Sequence, residues 1–176
     1  QKPLATRHYY FQSYFPLLQT NKQTNKQYGI VPHYVDKPLL FDWNNSTTIR
    51  VIDLTAPEIE SIVEAIVQCK YILSSSLHGI ITAHAYGIPA LWVTFSDKLT
   101  GDGIKFKDYF SAVQIPDYVA IDLNPEQALT PTQIDELFKR NQQVVLPSKE
   151  LIKNIQENLL RVAPFPLKKQ IRLLLK

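Results

Sequence analysis

The sequence has little of what several classes of protein require. It contains one cysteine, Cys69, and no methionine among 176 residues. A single cysteine excludes an intrachain disulfide and a cysteine-based zinc cluster, and it suits a reducing cytoplasm. Because Cys69 lies at the end of a predicted helix, we expect it to be a buried structural thiol. A chain that begins with Gln1 and lacks methionine is expected to be part of a longer protein.

Long apolar runs and dense basic stretches are also missing. No run reaches about 18 apolar residues, and residues 1–10 have neither the apolar core nor the cleavage pattern of a signal peptide. The chain is therefore predicted neither to span a membrane nor to be secreted by that route. The net charge of +3 is mildly basic, and no stripe of Lys and Arg is interleaved with aromatics, which disfavours nucleic acid as a partner. No G-x-G-x-x-G motif or phosphate-binding lysine loop indicates NAD or ATP.

Strand-like and helix-like segments alternate along the chain, and its 45% hydrophobic content suffices for one buried core. The central stretch, residues 71–93, is YILSSSLHGIITAHAYGIPALWV. An apolar run at 71–73 predicts a buried strand, and a helix-like segment follows it. Gly87 suits the left-handed residue after that helix, and residues 90–93 predict the next strand. Such a crossover predicts the α/β class, with a doubly wound parallel sheet and helices on both faces.

The junction between that strand and that helix is the candidate site. Ser74, Ser75 and Ser76 stand before the helix, and His78 lies in its first turn. Hydroxyls at a helix start can accept from free backbone N–H groups, while the helix dipole favours an anion in front of it. In open parallel sheets, ligands bind at this carboxyl edge. The pattern leaves two interpretations open: an anion site with His78 at its mouth, or a capped helix whose histidine bonds locally.

A second histidine, His84, lies on the same predicted helix. Six positions separate it from His78, about 240° around the helix, so the two cannot face one ligand. We therefore predict no metal site here and expect His84 to be a packed helix residue.

Upstream, residues 28–35 predict the first core strand, which places His33 at the ligand edge of the sheet. His33 is a secondary site candidate, and a satisfied loop histidine is the alternative. Residues 47–54 predict a second strand. Thr55 is then predicted to cap a helix, because Glu58 follows at the capping-box spacing.

Downstream, residues 104–112 predict a helix after a glycine-containing loop. Lys98, Lys105 and Lys107 lie in or beside it, and one of them could contact a bound phosphate or carboxylate. Each also fits an ordinary solvated lysine. Asp108 is either a site residue or a carboxylate on the helix surface.

The ends of the chain carry less information. Residues 118–123 predict a strand, and Thr130 and Ser148 each begin a helix, but this last third shows no chemistry. Residues 1–27 are predicted to be a linker or the remnant of a preceding domain. Residues 166–176 predict a basic amphipathic helix that either packs on a neighbouring domain or lies on an anionic bilayer.

One long motif resembles a known family. The segment SSSLHGIITAHAYGIPALW is similar to the signature of the polysaccharide pyruvyl transferases, and the stretches at 28–36 and 105–111 fit the same family in order and separation. The resemblance implies a glycosyltransferase-B-like architecture, in which two Rossmann-like domains face each other across a cleft. This chain resembles the carboxyl-terminal one, with its domain at 28–165.

The resemblance also implies an activity. Family members transfer the pyruvyl group of phosphoenolpyruvate to a sugar of an exopolysaccharide or cell-wall precursor as a ketal. Phosphoenolpyruvate is then a donor substrate and no cofactor is needed. The implied partners are a sugar or lipid-linked oligosaccharide and the missing amino-terminal domain, and the implied location is the cytoplasm, at the inner face of the membrane.

The family signature has a basic residue followed by Leu-His. Leu77 and His78 match the last two positions, while Ser76 stands where the arginine would be. A neutral hydroxyl is a weaker anion contact than a guanidinium. We predict that His78 is the catalytic acid. The predicted substrate-binding residues are Ser74, Ser75, Ser76, Leu77, Gly79, His33, Lys98, Lys105 and Asp108.

Two other functions fit the same residues. A nucleotide-sugar glycosyltransferase could hold a diphosphate at the same helix start. A non-catalytic carbohydrate-binding or partner-binding domain would fit a chain that carries one side of a cleft only.

Overall fold

The computed structural model describes residues 28–40, 43, 46–98 and 103–162. The predicted linker at 1–27 and the predicted basic helix at 166–176 lie outside these residues. The described part of the chain alternates strands and helices from its first strand onward.

One parallel sheet organises the chain. Its strands are β1 (Tyr28–Val31), β2 (Ile49–Val51), β3 (Tyr71–Ser74), β4 (Ala90–Thr94) and β5 (Ile121–Asp122), in the order β2-β1-β3-β4-β5. Every described strand pair is parallel. The helices are α1 (Ile59–Val67), α2 (Leu77–Ala85), α3 (Ile104–Ala112), α4 (Pro131–Arg140) and α5 (Lys149–Arg161), with a 3-10 helix at Lys37–Leu40. This arrangement confirms the predicted α/β, Rossmann-like fold class.

The strand order has one reversal, at β1 and β3. The chain leaves β1 for β2 on one side, and it leaves β3 for β4 and then β5 on the other side. At such a switch point the connections after the two strands diverge and leave a crevice at the carboxyl edge. Val31 at the end of β1 is level with Ser74 at the end of β3, so His33 and the serine turn meet at this crevice.

The middle of the sheet is the core of the domain. All four residues of β1 are buried, as are Ile72, Leu73 and Ser74 in β3. Parallel strands covered on both faces read as continuous apolar runs, which is why these segments were recognisable in the sequence. Cys69 is buried next to β3, as expected, and burial raises the pKa of its thiol to about 11.

The predicted start of α1 is wrong. The amide and the hydroxyl of Thr55 both donate to the Asp53 carboxylate, at 2.9 and 2.7 Å, and α1 begins at Ile59 without a side-chain cap. Hydrogen bonds from Lys37 and Thr55 hold the pKa of Asp53 at about 2. A charged carboxylate is a stronger partner for a hydroxyl than a helix N–H, so Thr55 turns away from the helix.

The predicted caps further along the chain are confirmed. The Thr130 side chain accepts from the Gln133 amide, and the Gln133 side chain accepts from the Thr130 amide, with Pro131 at the first helical position. Ser148 caps α5 by accepting from Leu151. Each of these two hydroxyls accepts from a backbone amide in the first turn of the helix that it precedes.

His84 is a packed helix residue, as predicted. Its Nε2 lies 3.1 Å from the carbonyl oxygen of Val145, and its Nδ1 lies 3.0 Å from the Tyr109 hydroxyl. A carbonyl only accepts, so Nε2 carries the proton and Nδ1 accepts from the tyrosine. This neutral imidazole links α2 to α3 and to the segment before α5, and burial lowers its pKa to about 4.

His84 should make the stability of the domain depend on pH. Unfolded, it takes up a proton near pH 6.5, whereas the folded state stays neutral until about pH 4, so stability is full above 6.5 and is lost as pH falls towards 4. We expect about 2 kcal/mol of this loss between pH 7 and pH 5. Urea unfolding at both pH values should show a smaller loss in a His84→Gln variant. An equal loss in both proteins would contradict this assignment.

Candidate functional site

A cleft of about 900 Å³ opens at the carboxyl edge of the sheet. The segments that follow β1, β3, β4 and β5 all contribute to its lining, as does the start of α3. The lining residues are 33, 75–78, 92, 94–97, 103–106 and 122–125.

His33 enters the cleft from the segment after β1. Its backbone amide donates to the Ser75 hydroxyl oxygen at 2.9 Å, and its ring lies 4.5 Å from that of Tyr34, between centroids. Nδ1 of His33 is buried and has no hydrogen-bond partner among the described residues. A ligand or a water molecule in the cleft would supply the missing partner. The structure therefore brings this secondary candidate to the same place as the serine turn.

The three serines of the turn have different surroundings. Ser74 is fully buried; its hydroxyl lies 2.7 Å from the Val31 carbonyl oxygen and 2.8 Å from that of Ser76. Ser75 donates to the Asp36 carboxylate at 2.7 Å. Ser76 is the residue before α2, and its side chain makes no capping bond. Ser75 and Ser76 line the cleft; Ser74 does not.

A buried carboxylate, Asp36, joins three of the segments at this edge. It has 0% exposure and accepts from the Ser75 hydroxyl after β3 and, at 2.6 Å, from the Ser96 hydroxyl after β4. Its own segment follows β1. Sequence reasoning missed Asp36, because nothing in a sequence shows that two distant serines will converge on one carboxylate. The available signal was its position just after a buried strand.

His78 lies half-buried in the first turn of α2 and lines the cleft. Burial lowers the pKa of His78 below its ordinary value, and the positive charges of His33 and Lys105 lower it further. Three basic groups thus share this end of the cleft, in front of a helix N-terminus. Both features favour a bound anion, which would relieve the mutual repulsion of the basic groups.

Other lining residues of the cleft were passed over by sequence reasoning. Asp97 follows β4, and Asp122 ends β5, where its carboxylate accepts from the Thr94 hydroxyl at 3.3 Å. The indole N–H of Trp43 donates to the Pro125 carbonyl oxygen at 2.7 Å and holds the segment after β5. Since β5 has two residues, its sequence gave little indication that a lining segment follows it.

Four predicted site residues lie outside the lining of the cleft. They are Ser74, Gly79, Lys98 and Asp108. Gly79 is packed so closely on β1 and β3 that a Cβ atom would collide with Ser74 Oγ and would lie 2.7 Å from Val31 Cγ1. Its role in the structure is close packing of α2 on the sheet. Lys98 and Asp108 are exposed.

In the part of the chain that the structure describes, no three His, Cys, Asp or Glu side chains are grouped so that they could hold a metal ion. None of the described helices combines the length and the apolar character that a membrane span needs.

These observations define an α/β domain with a cleft at the switch point of its sheet, where His33, His78 and Lys105 lie in front of a helix N-terminus and Asp97 and Asp122 also line the walls. Residues 12–97 match the model of the polysaccharide pyruvyl transferase family. The match confirms the family predicted from the sequence. It includes His33, Asp36, the serine turn and His78, and it ends before Lys105.

One curated relative adds no function. An uncharacterized protein of Acanthamoeba polyphaga mimivirus is 43% identical over 95 residues, which are 51% of this chain and 32% of that protein. The chain thus matches about a third of the length of this curated relative.

The closeness of Lys105 to His78 can be tested by titration. Replacing Lys105 with Ala removes a positive charge that opposes protonation, so the pKa of His78 should rise while burial still keeps it below its ordinary value. NMR titration of the histidine ring signals would measure it. Lys107→Ala is the matched control, because Lys107 Nζ lies 3.7 Å from Asp117 and the residue does not line the cleft. Equal effects of both variants would contradict the assigned geometry.

Proposed function

We propose that this chain is the donor-binding part of a polysaccharide pyruvyl transferase and that it holds phosphoenolpyruvate at the basic end of the cleft. One observation carries the proposal: His33, His78 and Lys105 share that end, in front of the first turn of α2. Phosphoenolpyruvate carries a phosphate and a carboxylate on three carbons, so it matches the part of the cleft that offers a lysine and two imidazoles.

The proposed reaction joins two hydroxyls of one sugar to carbon 2 of the donor. Protonation of the methylene carbon of phosphoenolpyruvate turns it into a methyl group and leaves an oxocarbenium-like centre at carbon 2. One sugar hydroxyl attacks that centre and loses its proton. Phosphate then leaves with the electrons of its carbon–oxygen bond, and the second hydroxyl attacks and loses its proton. The products are a pyruvate ketal and inorganic phosphate.

His78 is the proposed acid for the first step. At rest its lowered pKa favours the neutral imidazole, which cannot protonate carbon. A bound dianion would raise that pKa and load the proton only when the donor is present. An imidazole can exchange this proton near neutral pH, so His78 can also take back a proton from an attacking hydroxyl.

Lys105 is the proposed replacement for the family arginine at Ser76. Among the described residues that line the cleft, it is the one lysine or arginine. Two other basic residues fit less well: Lys98 does not line the cleft, and the Arg50 guanidinium on β2 donates to Gln68 at 3.3 Å. A lysine gives a point charge and lacks the bidentate geometry of a guanidinium. Ser76 then leaves room beside the helix start.

The remaining parts of the enzyme are proposed from the family. The acceptor is a sugar or a lipid-linked oligosaccharide, a second Rossmann-like domain closes the cleft in a glycosyltransferase-B-like arrangement, and the whole enzyme works at the inner face of the membrane. The size of the cleft supports a larger second substrate, since 900 Å³ exceeds what a three-carbon phosphate fills.

Calorimetric titration of the chain with phosphoenolpyruvate tests the donor site. We expect saturable binding with proton uptake near pH 7, recognised by repeating the titration in buffers of different ionisation enthalpy. His78→Gln should abolish the proton uptake and weaken binding about tenfold, because a charge-assisted hydrogen bond is lost. Lys105→Ala should also weaken binding, and Lys107→Ala should not.

A parallel titration with UDP-glucose separates the rival function. Binding of UDP-glucose without phosphoenolpyruvate would favour a nucleotide-sugar glycosyltransferase. Binding of neither ligand would contradict a donor site on this chain.

A further inference from the structure

The reaction proposed above gives no role to Asp36, although it is a carboxylate with 0% exposure at the floor of the site. The neighbouring lysine, Lys37, pairs with Asp53 instead. Asp36 is stabilised by two short hydrogen bonds from serine hydroxyls, of 2.7 and 2.6 Å. Since an ionised carboxylate can only accept, these bonds fix where both hydroxyl protons point.

At Ser75 the fixed proton decides what the hydroxyl can offer a ligand. A serine has one O–H, and that of Ser75 points to Asp36 Oδ2. The His33 amide donates to the same oxygen at 2.9 Å and occupies a lone pair. Ser75 therefore has no proton with which to hold an anion, although the sequence suggested that it would.

Ser96 repeats the arrangement on the other side of Asp36. Its O–H points to Asp36 Oδ1, and its oxygen accepts from the Lys98 amide at 3.3 Å. Ser96 is half-buried and lines the cleft. Its remaining lone pair can accept from a neutral hydroxyl group, whereas it would repel a phosphate.

We propose that Asp36 is a specificity-determining residue, which keeps the protons of Ser75 and Ser96 turned away from the cleft. The anion is thereby confined to the part of the cleft formed by His78 and Lys105, and the part lined by Ser96 accepts hydrogen bonds from hydroxyl groups of a neutral saccharide. This inference rests on the proposed function, because it assumes that an anion binds at the basic end. Asp36 acts through the serines and does not touch the substrate.

Inorganic phosphate is the probe for the first test, with affinity measured by calorimetry and folding checked by thermal melting. Ser96→Ala should change the phosphate affinity less than about twofold, because the hydroxyl gives the anion nothing. If Ser96 donates to the anion, the same variant should weaken binding about fivefold or more, the loss typical of a hydrogen bond to a charged group. That result would overturn the inference.

A second test changes the direction in which the serine hydroxyls donate. In Asp36→Asn the amide group donates to one serine, so at least one hydroxyl must turn its proton elsewhere and can donate to phosphate. Phosphate binding should become about fivefold tighter. Removing a negative charge also tightens binding, so the control is Asp36→Asn combined with Ser75→Ala and Ser96→Ala. The triple variant should bind at least about threefold more weakly than Asp36→Asn alone.

The outcomes separate the two proposals. Equal affinities of Asp36→Asn and the triple variant would mean that Asp36 acts by its charge alone, and the inference would fail while the donor site stood. Absence of phosphate and phosphoenolpyruvate binding by the unaltered chain would defeat the proposed function and the inference together. If Asp36→Asn does not fold, the phosphate affinity of the folded Ser96→Ala variant still decides whether the Ser96 hydroxyl donates to the anion.

Discussion

Two hydrogen bonds to a buried carboxylate determine the shape of the ligand edge. The segments after β1, β3 and β4 meet at this edge, and the bond from the His33 amide to the Ser75 oxygen already links the first two. Asp36 joins them, since it lies in the first segment and accepts from Ser75 in the second and Ser96 in the third. A buried charge is tolerated only when its hydrogen bonds are satisfied, so the three segments must adopt this arrangement together. The places of His33 and the serine turn follow from that constraint.

The ligand edge also depends on how α2 packs against the sheet. Its first turn must start close to the ends of β1 and β3 if its dipole is to act on a ligand there. Gly79 makes this possible, because a side chain at that position would strike Ser74 and Val31. The charge of the site therefore depends on close packing in the core as well as on the basic residues themselves.

Local patterns made most of the fold predictable. Buried parallel strands are short apolar runs, and α2, α3 and α5 were delimited by glycine, proline and serine at their ends. His78 was predictable for the same reason, since its place depends on the strand and the helix on either side of it. The helix caps show where local patterns are insufficient. Thr130 and Thr55 have similar local sequences, yet the Thr55 hydroxyl donates to the Asp53 carboxylate, whereas the Thr130 hydroxyl caps its helix.

The remainder of the site depends on contacts between distant segments. Asp36 is 39 residues from Ser75 and 60 from Ser96, and no periodicity reports such a meeting. The segment after β5 was missed for a related reason. A strand was predicted at 118–123, but its pairing with β4, which brings the following segment to the cleft, joins residues that are distant in the sequence.

The two outermost strands, β2 and β5, have three and two residues. An edge strand exposes unpaired N–H and C=O groups that another chain can use to extend the sheet, and short edges offer few of them. Association with another domain is therefore favoured through side-chain contacts, such as those around the cleft, over the addition of a strand. Complementary surfaces of that kind can separate and close again without breaking backbone pairing, so the ligand edge remains accessible while the sheet stays intact.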